Sequence, residues 1–131
     1  MSYYFAARLN MGFDESIQVV TEALKAEGFG IISEIDIQDK LKEKLGIDFR
    51  KYRILGACNP PYAHKALSLE DKIGTMLPCN VIVQEADGGG TEVAAINPIE
   101  SMKAVNNPAL MDIANEVTAR LQKVIEALKS R

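Results

Sequence analysis

CNVIVQEADGGGTEVAAIN, residues 79–97, decides the fold. Residues 79–86 and 91–97 are two short apolar runs, and Asp87-Gly88-Gly89-Gly90 between them supplies the backbone freedom of a tight turn. The stretch therefore predicts an antiparallel hairpin. The three glycines also invite reading as a phosphate loop, but such a loop needs a helix start immediately after it, and here a strand follows.

Upstream, residues 3–10 (YYFAARLN) predict a first strand. Gly12-Phe13-Asp14 turns the chain into a helix with Asp14 as N-cap, Ile17, Val20, Ala23 and Leu24 as its apolar stripe, and Gly28 in the left-handed position at its end. A strand at 29–35 leads to Asp36, which caps a short helix whose Ile37, Leu41 and Leu45 share one face before Gly46 ends it. Residues 52–58 form the third strand, and Asn59-Pro60 opens a helix, since proline suits the first helical position. Ser68-Leu69-Glu70-Asp71 reads as a variant capping box that restarts a helical turn. The Asn-Pro device recurs at Asn97-Pro98 and Asn107-Pro108. The last opens the longest helix, where Leu110, Ile113, Val117, Leu121, Val124 and Leu128 keep a three-four spacing.

The order β-α-β-α-β-α-β-β-α ends in a hairpin, not in a further βαβ unit. It predicts an α+β fold with a mainly antiparallel sheet of about five strands and helices on one face. The other face then needs a cover, because an apolar sheet face of several hundred Å² is unusual on a monomer, and a homodimer is the expected solution.

The 131 residues fit one domain, 1–131, and the 47% hydrophobic and 25% charged fractions are those of a soluble globular protein. A net charge of −3 disfavours nucleic acid as a partner. No apolar run approaches a membrane span, and MSYYFAARLN does not read as a secretory signal. The expected location is cytoplasmic, where Cys58 and Cys79 are free thiols or ligands and not a disulfide.

These two cysteines and His64, the single histidine, form the candidate site. If strands 52–58 and 79–86 pair antiparallel, the end of one meets the start of the other and brings Cys58 beside Cys79, with His64 on the following helix. Three readings compete. The cysteines are small buried hydrophobes. Alternatively, Cys58 is a thiolate activated at a helix start, with His64 as its base; no Cys-x-x-Cys accompanies it. Or Cys58, Cys79 and His64 hold zinc or a similar thiolate-binding ion, with a fourth ligand from water, a carboxylate or a second subunit. Glu34, Asp36 and Asp39 could hold a hard cation, but capping and solvation explain them more simply. The basic stretch from Lys40 to Arg53 is interrupted by acids and reads as solvated surface. Tyr52, Tyr62 and Met76 flank the cysteine segments as pocket or core residues.

ILGACNP (54–60), LPCNVIV (77–83), GFGIISEIDIQDKLKEKLG (28–46) and ANEV (114–117) together resemble the bacterial and archaeal domain-of-unknown-function family 302 over nearly the whole chain. The resemblance implies a TATA-binding-protein-like arrangement of antiparallel sheet and helices, commonly dimeric, and no established activity. Cys58, Asn59 and Pro60 match its first motif, and Pro78, Cys79 and Asn80 its second, with Asn59 as an N-cap and Asn80 as a strand-edge hydrogen-bonder. The resulting expectation is a dimeric binding module for a metal or small ligand at the Cys58/Cys79/His64 corner. A thiol-dependent redox protein or enzyme using Cys58 is the alternative, and a self-associating domain with buried cysteines the third reading.

Overall fold

A computed structural model describes residues 2–131. The elements are β1 (Tyr4–Leu9), α1 (Phe13–Ala26), β2 (Gly30–Asp36), α2 (Ile37–Leu45), β3 (Tyr52–Cys58), α3 (Pro60–Leu69), a 3₁₀ segment (Asp71–Met76), β4 (Cys79–Glu85), β5 (Thr91–Ile96), α4 (Pro98–Ser101) and α5 (Pro108–Lys129). The strands form one antiparallel sheet in the order β1-β5-β4-β3-β2. The fold is α+β, as the hairpin requires.

The hairpin turns at Gly88, Gly89 and Gly90, all at positive φ, where a side chain would be strained. Arg8 secures the turn by donating to the carbonyls of Asp87 and Gly89. Along β4, Cys79, Val81 and Val83 point to the helices, while Asn80, Ile82 and Gln84 point to the open face, the alternation a half-covered sheet demands. Helix α5, about 33 Å long at 1.5 Å per residue, lays Val117, Leu121, Val124 and Leu128 on the sheet beside Val20 and Leu24 of α1. A second, smaller cluster gathers Ala66, Ile73, Met102, Leu110 and Ala114 at one end.

Several caps differ from the sequence reading. Gly12, not Asp14, occupies the N-cap of α1, and Asp14 lies in its first turn with Ser16 Oγ donating to Gly12 O at 2.8 Å. Ser68 does not cap the next turn: its hydroxyl donates back to His64 O, and Glu70 precedes a 3₁₀ segment without a side-chain cap. Asn97 and Asn107 cap as expected, accepting from Ile99 N and Ala109 N, each at 3.2 Å. Asn59 stands at the N-cap of α3 but makes no capping bond. Asn80 is exposed, and its side chain makes no hydrogen bond among the described residues.

Edge strand β2 carries a bulge. Ile31 pairs with Ala57 and Ser33 with Gly56, so Ile32 has no partner and stands 65% exposed.

Candidate functional site

Antiparallel pairing of β3 with β4 sets Ala57 opposite Cys79. Cys58 is one step further along, so the two cysteines sit on adjacent strands, near enough for Cys58 to act on Cys79 electrostatically. Both are free thiols, and both reach the wall of one cavity of about 310 Å³. That is the lower end of the volumes that hold small organic ligands, roughly 300–1,000 Å³.

The cavity lies at the seam between the two clusters of core side chains. Cys79 and Val117 of the larger cluster and Ala66, Met102 and Ala114 of the smaller one all face it. Small residues leave it unfilled: Ala57 from β3, Ala63 and Ala66 from α3, Gly74 from the 3₁₀ segment and Ala114 from α5 meet where larger side chains would close the gap. None of its eighteen lining residues is Lys, Arg, Asp, Glu or His. Ile32, the bulged residue, and Leu67 line it while remaining exposed, so apolar surface continues from the interior to the rim.

The two thiols differ. Cys79 is 9% exposed, and burial, followed by the proximity of Cys58, pushes its pKa up from an ordinary 9.0 to about 11. At neutral pH it is a neutral S–H in an apolar wall. Cys58 is half-buried at the end of β3.

His64 is elsewhere. One helical position, about 100° of rotation, separates it from Ala63, and it is exposed and absent from the cavity wall. Among the described residues no three His, Cys, Asp or Glu side chains converge as a metal site would need. The Glu34/Asp36/Asp39 group is accounted for by its partners: Asp36 accepts from Asp39 N at 3.0 Å, and Arg53 lies 3.2 Å from Glu34 and 3.4 Å from Asp36. Of the flanking residues, Tyr62 lines the cavity, Tyr52 lies by the open sheet face, and Met76 is exposed and outside the cavity wall.

One cavity residue carries more than the sequence reading gave it. Asn59 is 8% exposed, and its Nδ2 donates to Glu27 O at 3.2 Å, satisfying a carbonyl left open at the end of α1. Arg120 Nη1 donates to the same carbonyl at 3.4 Å, while its Nε donates to Tyr62 Oη at 3.2 Å. This knot joins α1, α3 and α5 at the cavity's side. The signal was present in Cys58-Asn59-Pro60-Pro61: with prolines at both of the first two helical positions, the second-position amide that Asn97 and Asn107 bind is missing here.

The family model for "Domain of unknown function DUF302" matches residues 5–128. A crystal structure of an uncharacterised conserved protein of that family from Bacillus stearothermophilus is 31% identical, covers 98% of this chain and 99% of its own, and superposes with a TM-score of 0.89. No curated protein matches.

Proposed function

The chain belongs to the DUF302 family, a domain of unknown function, and from that premise we propose that it is a binding protein whose cavity takes a small, neutral, largely apolar molecule. The observation that carries this reading is a cavity of about 310 Å³ whose eighteen lining residues include no formal charge. A charged ligand would lose its hydration there without a counter-charge to replace it. A water-filled cavity of this composition would likewise offer few partners for hydrogen bonding. An apolar guest loses only its contact with water, and each buried CH₂ is worth about 0.8 kcal/mol.

The same wall weighs against the other chemistries for this corner. For a thiolate-dependent enzyme, Cys58 would have only the start of α3 to activate its sulfur, since the wall holds no base or cation beside it. A zinc site built on Cys58, Cys79 and His64 would require His64 to leave the outer surface of α3. Equilibrium dialysis with 2-methylnaphthalene tests the binding reading. Saturable uptake that Ala63→Phe abolishes is expected; no saturable uptake by the folded wild type refutes it.

Self-association through the open sheet face is a second reading. Ile54, Ile82 and Ile96 lie on that face with Tyr4 and Tyr52. At its margin, Arg50 Nε donates to Gln84 Oε1 and Gln84 Nε2 to Glu92 Oε1, each at 2.9 Å. An apolar centre with a polar margin is the usual anatomy of an interface. Sedimentation equilibrium should give a dimer for the wild type and a monomer for Ile82→Lys; a wild-type monomer at all concentrations rules the reading out.

A further inference from the structure

We infer that the cavity's guest carries one hydrogen-bond donor, a hydroxyl or N–H, and that Asn59 Oδ1 receives it. This deepens the cavity-binding reading and rests on it.

The three Asn-Pro helix starts supply the contrast. Asn97 is followed by Pro98 and Ile99, and Asn107 by Pro108 and Ala109; in each, the asparagine oxygen accepts from the amide of the second helical residue. Asn59 is followed by Pro60 and Pro61, so the second helical residue has no N–H to give. The side chain turns instead to the end of α1, where Nδ2 meets Glu27 O at 3.2 Å. That bond fixes which end of the amide is nitrogen, since a carbonyl accepts only from a donor. The oxygen is left over. It accepts no hydrogen bond among the described residues, although Asn59 is 8% exposed and forms part of the cavity wall.

Among the described residues no side-chain oxygen is both fully buried and without a partner, so this acceptor keeps a little accessible surface. A guest that fills the cavity must donate to it or shut it off from water unpaired, and an acceptor left unpaired is costly. The rest of the wall is suited to a hydrocarbon body. A compact aromatic or alicyclic alcohol, phenol or amine-free N–H heterocycle meets both demands, whereas a hydrocarbon of the same shape leaves Asn59 unsatisfied. A carboxylate fails twice, bringing a charge into an uncharged wall and a second acceptor to an acceptor. Specificity of this kind, from one polar contact in an apolar site, exceeds what a methylene of extra contact provides.

The test compares 2-naphthol with 2-methylnaphthalene on wild type and on Asn59→Ala by equilibrium dialysis. The ratio of the two affinities is expected to fall roughly tenfold from wild type to variant, and the comparison across proteins cancels the ligands' own preference for water. Should Asn59→Ala fail to fold, 2-methoxynaphthalene on the wild type decides: it accepts but does not donate, and is expected to bind several-fold more weakly than 2-naphthol. An unchanged ratio, or equal binding of the methoxy and hydroxy compounds, overturns the role of Asn59 while leaving the cavity reading intact. Failure of all three compounds to bind wild type removes the cavity reading, and this inference with it.

Discussion

Alkylation of Cys79 tests the electrostatics of the cavity wall. Only the thiolate reacts, so the rate follows the ionised fraction and access to the sulfur. With a pKa of about 11, Cys79 at pH 8 is ionised to about one part in a thousand, against about one part in ten at the ordinary value of 9.0. Folding should therefore slow its alkylation about a hundredfold through ionisation alone, and its burial slows it further. The assay uses the wild type, because Cys58 contributes to the shift, and follows iodoacetamide incorporation at Cys79 by peptide mass spectrometry in native buffer and in denaturant. The native rate should keep rising with pH beyond pH 10, where the denatured rate has levelled off. Native alkylation within tenfold of the denatured rate at pH 8, or a plateau near pH 9, would show that Cys79 is not buried as described.

The same shift makes stability depend on pH. The folded pKa lies above the unfolded one, so Cys79's contribution is fully present below about pH 9 and is lost as pH rises through about 11, a loss of about 3 kcal/mol; Cys79→Ala should flatten that part of a urea-denaturation profile, and an identical slope in both proteins would contradict it. Gly56→Ala should cost about 1–3 kcal/mol by overpacking, because a Cβ there would stand 2.1 Å from Ser33 Oγ and 2.7 Å from Pro78 Cγ; an unchanged melting temperature would count against the close approach of β2 and the Pro78 ring. Asn97→Ala should cost about 2–3 kcal/mol, a lost cap plus unsatisfied buried partners, since this 1%-exposed side chain accepts from Ile99 N and Thr118 Oγ1 and donates to Ser2 O. Thermal denaturation measures it, and a loss below about 0.5 kcal/mol would match an ordinary surface change instead.

What the sequence disclosed depended on the range of the physics. The hairpin at 79–97 and helix α5 follow from local periodicity and turn chemistry, and both stand where those rules put them. Pairing β3 with β4 needed only the assumption of an antiparallel sheet, so the convergence of Cys58 and Cys79 was also legible. The cavity was not. Ala57, Ala63, Ala66, Gly74 and Ala114 read as ordinary strand, helix and turn residues, and the void arises only where four separate elements bring these small residues together. Nearness in the chain groups His64 with the cysteines, yet the phase of α3 turns it to solvent. The unusual behaviour of Asn59 was written in Pro61, but its meaning depended on Glu27, 32 residues away.

The unpaired Ile32 affects more than the rim of the cavity. A strand at the margin of a sheet is a template on which further chains can add without limit, and a flat, regular margin invites fibrous growth. By setting one residue out of step, β2 offers an incoming strand a broken row of amides and carbonyls. The kink that supplies this chain with a greasy doorway also denies it a straight border along which polymers could lengthen.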